Sequence, residues 1–302
     1  MKSSIHAGVS ERPTRRGMLG LPGGTLSTGL FVGPLLLYIL AFLLLPAAAV
    51  LLSAFRADDG SFTLAHLRAL AAPQHLNALR NSVELSATSA VLGGVLGALL
   101  AYAVLGEGGP GWLRAPLLAF SGVAANFAGV PLAIAFVATL GTTGMVTRWL
   151  GAVGVNLYAS GFSLFSFSGL VVVYLYFQIP LMVILIAPAL DGLRREWREA
   201  AENLGASRLQ FWRMVGLPVL APSLLAGTAL LFGNAFAAYA TPYALTSGVL
   251  PLLPLQIGAA LSGDVSSDPH LGQALALLVI AVMVLTMLLY GFFERLGSRW
   301  RR

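Results

Sequence analysis

Cysteine is absent from the 302 residues, and only 10% of them are charged. The lack of cysteine excludes a disulfide framework, a thiolate nucleophile and a thiolate metal site. A soluble domain of this length carries roughly a quarter charged residues. Here 57% of the residues are hydrophobic and the mean hydropathy is +0.83. No water-soluble fold could cover so much apolar surface, so the composition predicts an integral membrane protein.

Lysine and histidine are also scarce. Lys2 is the single lysine, which excludes a phosphate-binding G-x-x-x-x-G-K-[ST] loop because that loop needs a lysine after glycine. The histidines His6, His66, His75 and His270 are scattered, with no pair at metal-ligand spacing. Paired carboxylates and a serine–histidine arrangement are missing as well. We therefore expect no catalytic residue, bound cofactor or metal ion, and no enzyme activity.

Six uncharged stretches are long enough to cross about 30 Å of hydrocarbon as helices, which takes roughly 20 residues each. Lipid offers no partner for backbone N–H and C=O groups, so each stretch must be helical. Prolines inside them, such as Pro131 and Pro242, are normal in packed membrane helices. The predicted fold class is all-α, with six transmembrane helices. Their predicted ranges are 30–52, 85–105, 115–140, 164–190, 220–245 and 271–293.

Basic residues are unevenly distributed between the two sides. Arg56, Arg68, Arg80 and Arg148 are the 4 on one side, whereas the two tails and the remaining loops carry 14. The positive-inside rule then predicts cytoplasmic termini in a bacterial inner membrane. The net charge of +6 is thus explained by topology rather than by nucleic-acid binding. The segment 14–19 loosely resembles a twin-arginine export signal, but a basic tail before a membrane helix is the preferred interpretation, since the run 30–52 is long for a signal peptide.

The loop between the fourth and fifth spans, residues 191–219, carries the most information. Gly205 is placed to end a first helix in a left-handed conformation. Ser207 followed by Gln210 predicts a capping box that opens a second helix, and Pro218 suits the first turn of the next span. The first helix has one apolar stripe. Its residues are Leu193, Trp197, Ala200, Ala201 and Leu204. The loop is thus a helical hairpin, either interfacial or a docking surface for a cytoplasmic partner.

The same loop resembles the signature of a known family. Glu199-Ala200-Ala201, three residues, Gly205, nine residues, then 215–218 (VGLP) is similar to the EAA motif of ABC importer permeases. The family usually has isoleucine at the first of these last four positions, where Val215 stands. The resemblance implies that the first hairpin helix docks into an ATPase subunit and passes its motion to the membrane helices. The implied coupling residues are Trp197, Glu199, Ala200, Ala201, Gly205, Ala206, Leu217 and Pro218.

The resemblance also implies an organisation and a set of partners. It covers roughly 81–293, a MetI-like permease core that includes the coupling loop 191–219. A cytoplasmic tail (1–29), a first helix with its external loop (30–80) and a basic cytoplasmic tail (294–302) surround it. The implied partners are ATPase subunits that bind ATP and Mg, a second permease, homologous or identical, and an extracytoplasmic solute-binding protein. ATP-driven closure of the ATPases would rock the helices between inward-open and outward-open states.

Candidate residues for the substrate path come from two places. Glu84 lies at the outer end of the second predicted span, and its edge position also fits a solvated or helix-N-terminal carboxylate. The fifth span has an aromatic stripe that fits packing against a partner permease or a ligand surface, where a cation would gain cation–π contacts. The stripe is Phe232, Phe236, Tyr239 and Tyr243, and the predicted path residues are Glu84, Asn234, Phe236, Tyr239 and Thr241.

The solute and two rival functions remain open at this point. Residues 238–245 resemble the spermidine/putrescine-type branch of these importers, which favours a polyamine-like or other small polar solute. An ion-gradient-driven secondary transporter is the main alternative, but it needs titratable or ion-coordinating groups at mid-membrane, and the predicted spans contain no charged residue. A membrane-embedded enzyme would need a catalytic constellation. The expected function is therefore a permease that forms half of an ATP-driven import pathway.

Overall fold

The computed structural model describes residues 24–56, 61–106, 108–159, 161–262 and 269–298. Within these ranges the chain is mostly helical and has no β-strand beyond an isolated bridge between Arg56 and Phe62. This confirms the predicted all-α class. The α-helices are α1 (Gly24–Ile39), α2 (Leu45–Ser53), α3 (Ala65–Ala69), α4 (Pro73–Leu105), α5 (Gly111–Ala124), α6 (Val130–Leu140), α7 (Met145–Ala152), α8 (Phe167–Asp191), α9 (Arg195–Asn203), α10 (Arg208–Phe211), α11 (Leu217–Phe236), α12 (Ala240–Thr246), α13 (Leu253–Leu261) and α14 (Pro269–Ser298).

Six stretches of the described chain are long and apolar enough to cross a membrane, as predicted. By length and hydropathy they are Val32–Ser53, Pro73–Leu105, Val130–Ala152, Phe167–Asp191, Arg208–Phe236 and His270–Gly297. In the first of them, a π-helical turn joins α1 to α2. The chain divides into two units after Ala49. The 14–19 segment and the other basic residues of the N-terminal tail lie outside the described residues. So do the basic residues that follow Arg295 in the C-terminal tail.

Three helices, α4, α8 and α11, form the centre of the second unit. Gly93 of α4 allows a close approach to α8, since a Cβ added there would lie 2.6 Å from Gln178 Cβ. Gln178 is fully buried, and its Nε2 donates hydrogen bonds to Ser89 Oγ at 3.3 Å and to the Leu231 carbonyl at 3.2 Å. One amide group therefore ties α8 to both neighbours and marks the same depth on all three helices.

The third predicted span, residues 115–140, is not one helix. Instead, α5 ends at Ala124 and α6 begins at Val130, after Gly129 with its positive φ of +79°. The prediction of a continuous helix is wrong here because an uncharged run gives no hydropathy signal at an interruption. Hydropathy alone would combine α6 and α7 into one membrane span, Val130–Ala152, although a turn at 141–144 separates the two helices.

Contacts with α8 show that α5 and α6 make this crossing together. At the start of α5, Arg114 Nη2 donates to both carboxylate oxygens of Asp191, the last residue of α8, at 2.8 and 2.7 Å. Between α5 and α6, Phe127 contacts Tyr176 near the middle of α8, with ring centroids 6.1 Å apart. The end of α6 packs in the cluster around Leu164, just before α8. The two helices thus run antiparallel to α8 over 111–140, which indicates one crossing whose interruption lies near the middle of α8.

The fifth predicted span, residues 220–245, is also interrupted. A π-helical turn, Trp212–Gly216, joins α10 to α11, and α11 ends at Phe236 before the separate helix α12. The predicted aromatic stripe therefore lies on two helices. Phe232 and Phe236 stack on α11 with centroids 5.7 Å apart, and Tyr239 and Tyr243 stack at 5.4 Å at the start of α12.

Candidate coupling hairpin and interrupted helices

The loop between α8 and α11 folds into the predicted hairpin. Gly205 follows α9 with a φ of +79°, which confirms the left-handed stop. The Ala206 N–H donates to the Ala201 carbonyl and the Gly205 N–H to the Glu202 carbonyl, both at 2.9 Å. These two bonds form a Schellman motif, which satisfies carbonyls at the end of the helix. The end of α9 is therefore fixed by local backbone hydrogen bonds.

The second hairpin helix opens with the predicted capping box. Ser207 Oγ accepts a hydrogen bond from the Gln210 N–H at 3.3 Å, and Gln210 Oε1 accepts one from the Ser207 N–H at 2.7 Å. Each side chain satisfies a backbone donor that the first turn of a helix leaves free. Pro218 lies in the first turn of α11, as its position in the sequence predicts. The hairpin is thus held at both sides of its turn by local bonds.

The apolar stripe of α9 is only partly covered. Leu193 packs against the cluster between the central helices. Trp197 is half-buried, with the Arg194 guanidinium carbon 6.0 Å from its ring centre. By contrast, Ala200 is exposed and Leu204 is 88% exposed. The part of the stripe nearest the glycine turn therefore presents an apolar surface that the described residues leave open.

The charged residues of α9 pair with one another. Arg195 Nε lies 2.9 Å from Glu199 Oε1, and Arg198 Nε lies 3.0 Å from Glu202 Oε1. The glutamate side chains are about half exposed. Exposed pairs of this kind contribute about 0–1 kcal/mol to stability. Glu199 can therefore exchange Arg195 for a group on another protein with little effect on the fold of the hairpin.

Of the predicted path residues, Glu84 lies apart from the others. It is exposed and pairs with Arg80, with Nε 2.7 Å from Oε1. The interpretation of Glu84 as a helix-N-terminal carboxylate is wrong, because α4 begins at Pro73 rather than at the predicted residue 85. The hydrophobic stretch underestimated the length of α4, since the first turns of this helix are polar.

The other four path residues divide into two buried and two exposed side chains. Phe236 is 1% exposed and packs against Leu253, and Thr241 is 3% exposed. Asn234 is exposed, and Tyr239 is 40% exposed. The structure therefore does not bring the predicted path residues into one cluster.

The sequence is similar to those of known membrane transport proteins. Residues 28–302 match the family described as "Binding-protein-dependent transport system inner membrane component". The chain belongs to this family. The permease is 29% identical over 214 residues to the sulfate transport system permease protein CysT of Salmonella typhimurium, covering 70% of this chain and 71% of that one. It is also 29% identical over 234 residues to the molybdenum transport system permease protein ModB of Mycobacterium bovis, covering 76% and 83%.

The fold of the permease is similar to that of a solved importer. With a TM-score of 0.68 and 17% identity, it matches a chain from a structure described as a bacterial alginate ABC transporter in complex with alginate pentasaccharide-bound periplasmic protein. The match covers 93% of this chain and 98% of that one. This likeness shows the fold, and the family membership confirms an ABC importer permease, a multi-pass component of the inner membrane. The spermidine/putrescine-type branch gains no support from the sulfate and molybdenum relatives and stays a prediction.

Sequence reasoning missed the contact that joins the hairpin to the membrane helices of the permease. The Trp212 ring stands edge-on to Tyr102 of α4, with centroids 4.7 Å apart. Gly216 makes room for it, since a Cβ there would lie 2.6 Å from Trp212 Cε3. Phe211 is buried beside them, and the aromatic pair 211–212 in a polar loop was the available signal. A cavity of about 700 Å³ opens beside this contact, with Tyr102, Arg198 and Trp212 in its walls.

Proposed function

We propose that the permease forms half of the solute pathway of an ATP-driven importer and couples to a cytoplasmic ATPase through the α9–α10 hairpin. The observation that carries this proposal is the open apolar surface at Ala200 and Leu204. It lies on a helix whose end is fixed by local hydrogen bonds. The small Ala200 side chain lets a partner groove approach closely, and displacement of the hairpin would reach α4 through Trp212.

The proposed assembly follows from the distribution of basic residues and from the family. With 14 basic residues on one side and 4 on the other, both termini and the hairpin belong in the cytoplasm. Two ATPase subunits, which bind ATP and Mg, would dock there. A second permease, homologous or identical, would complete the pathway, and a solute-binding protein would deliver the substrate from outside. The solved alginate importer, described in complex with its periplasmic protein, supports the last element.

For the substrate, the names of the relatives favour a small oxyanion such as sulfate or molybdate. A polyamine-like solute is the second candidate, because residues 238–245 resemble the spermidine/putrescine-type branch. The exposed, stacked rings of Tyr239 and Tyr243 offer a surface for a cation. Uptake of labelled sulfate, molybdate and spermidine by vesicles that contain the whole importer separates the two classes.

The same vesicles test the energy source. Uptake should require ATP inside and should stop when the nucleotide site of the ATPase is disabled. The purified permease alone should hydrolyse no ATP. Transport that continues without ATP and collapses with an ionophore would contradict the proposal and favour the ion-gradient-driven secondary transporter.

Replacement of Ala200 tests the docking surface directly. Because Ala200 is exposed, a larger side chain there can point into solvent and hold a partner away. We expect Ala200→Trp to reduce co-purification of the ATPase at least tenfold, about 1.4 kcal/mol of binding. Asn203→Trp is the matched control, since Asn203 is also exposed on α9 but lies off the apolar stripe. Equal co-purification of both variants would show that this face does not bind the ATPase.

A further inference from the structure

Two non-helical segments of the permease lie within the depth of the membrane. Helix α5 is about 21 Å long and α6 about 17 Å, so neither alone crosses about 30 Å of hydrocarbon. The segment between them, 125–129, is level with Tyr176 in the middle of α8. On α11, Leu231 is level with Gln178 through their hydrogen bond. Phe236 lies about 8 Å further along the helix than Leu231. Because Gln178 is near the middle of α8 and the hydrocarbon layer is about 30 Å thick, the segment 237–239 is still inside that layer.

Both segments are exposed on the described permease. Asn126, Phe127 and Ala128 are exposed in the first segment, and Ala237 and Tyr239 in the second. In contact with lipid, non-helical backbone would leave N–H and C=O groups without partners. Such backbone occurs at this depth only where protein covers it or water reaches it. The face that carries the two segments therefore does not face lipid.

The two interruptions are fastened to each other. Thr241 Oγ1 accepts a hydrogen bond from the Gly129 N–H at 2.8 Å and donates to the Gly129 carbonyl at 3.4 Å. The Tyr239 ring rests on α13, since a Cβ added to Gly258 would lie 2.6 Å from Tyr239 Cε2. The start of α12 is thus held between α6 and α13, and the Thr241 side chain supplies hydrogen bonds to the residue that precedes α6.

We infer that the paired interruptions line the aqueous solute pathway and that Thr241 is the positioning residue that holds them together. This inference rests on the proposed function. Interrupted hydrophobic segments at membrane depth are where transporters place polar groups for their solutes. The groups available here are neutral, namely the Asn126 amide, the Tyr239 hydroxyl and backbone amides. The pathway would therefore contact a polar solute through hydrogen bonds rather than through a fixed countercharge.

Cysteine accessibility tests the first half of the inference, because the chain contains no native cysteine. Ala128→Cys and Ala237→Cys place a small thiol in each exposed segment. Ala281→Cys is the matched control, since Ala281 is exposed on the uninterrupted helix α14. During ATP turnover of the complete importer, a charged, membrane-impermeant thiol reagent should label both segment cysteines at least tenfold faster than the control. Labelling as slow as at position 281 would show that protein covers the segments and would overturn the inference.

Replacement of Thr241 tests the second half. Thr241→Val removes the hydroxyl at nearly constant size, so the labelling rate at Ala128→Cys should change several-fold, whereas Thr241→Ser should keep it. Thr246→Val is the control, because the buried Thr246 hydroxyl donates to the Pro242 carbonyl within α12, at 2.8 Å. Equal rates in the two valine variants would overturn the role of Thr241.

The outcomes separate this inference from the proposed function. If Thr241→Val does not assemble, Thr241→Ser decides instead: a wild-type rate supports the hydroxyl link and an altered rate contradicts it. ATP-driven uptake with unlabelled segment cysteines overturns the inference alone. If the segment cysteines are labelled but uptake does not depend on ATP, only the proposed energy source is overturned.

Discussion

At the scale of single residues, Gly205 is the position where one side chain is expected to matter most. Its φ of +79° lies in the left-handed region that favours glycine, and an added Cβ would meet no atom within 4 Å. A substitution there therefore acts through backbone strain alone, about 1–2 kcal/mol for the left-handed conformation. A β-branched residue is the least tolerant of it. The strain would be relieved by opening the turn, which tilts α9 away from α10.

We therefore expect Gly205→Val to leave the permease inserted and abundant but to lower substrate-stimulated ATP hydrolysis several-fold. Gly205→Asn should retain most of it, because asparagine tolerates positive φ. The matched control is Gly154→Val, since Gly154 has a φ of +88° and also meets nothing within 4 Å, but lies outside the hairpin. If both valine variants couple normally, the geometry of this turn is not required for coupling.

At the scale of elements, the π-helical turn between α10 and α11 is where the hairpin meets the membrane helices. A Cβ at Gly216 would lie 2.6 Å from Trp212 Cε3, so Gly216→Ala must displace the indole and change its contact with Tyr102. Overpacking of this kind costs about 1–3 kcal/mol. We expect the ATPase to remain bound, because the docking face of α9 is unchanged, while uptake per ATP hydrolysed falls several-fold.

The control for this prediction is Gly291→Ala on α14, where an added Cβ meets nothing within 4 Å. Uptake and ATP hydrolysis by reconstituted importers are measured together, so that a loss of coupling differs from a loss of binding. Normal coupling in Gly216→Ala would show that motion does not pass through the Trp212–Tyr102 contact.

Local signals made the hairpin predictable, whereas its connections were not. Gly205, Ser207 and Gln210 act through bonds to residues within four positions, so their spacing in the sequence reveals the turn and the capping box. The contact between Trp212 and Tyr102 joins residues far apart in the chain. No periodicity in either helix records such a pairing. The same holds for the ion pair that sets the direction of α5 against α8.

The interrupted helices escaped prediction for a different reason. Hydropathy measures the transfer of side chains, and the segments 125–129 and 237–239 contain no charged residue. They are therefore indistinguishable from membrane helix on that measure. Gly129 and Pro131 were local signs of a break, but packed membrane helices tolerate both residue types. The start of α6 also depends on a tertiary contact, since Thr241 of the distant helix α12 satisfies the Gly129 N–H.

At the scale of the whole molecule, the described contacts form a continuous route from the hairpin to the interrupted helices. Trp212 joins the hairpin to α4, and Gln178 joins α4 through α8 to α11. Beyond α11, Thr241 joins α12 to α6. Helices transmit displacement with little internal deformation, and a chain of packed contacts is the physical form that coupling takes. Motion of an ATPase at one end thus has a route to the face that we assign to the solute.

The direction of this route depends on the topology, which the absence of cysteine makes testable by single substitutions. The basic residues predict Ser262 outside and Asn203 inside. Arg148 is a sharper test, because a crossing by α5 and α6 leaves it outside, whereas a crossing over Val130–Ala152 would bury it. An impermeant thiol reagent on cells with an intact inner membrane should label Ser262→Cys and Arg148→Cys. Asn203→Cys should react only once that membrane is opened. Protection of the cysteine at position 148, with labelling at position 262, would contradict the crossing by α5 and α6. Labelling at position 203 alone would show that the topology is the reverse of the predicted one and that the hairpin is not in the cytoplasm.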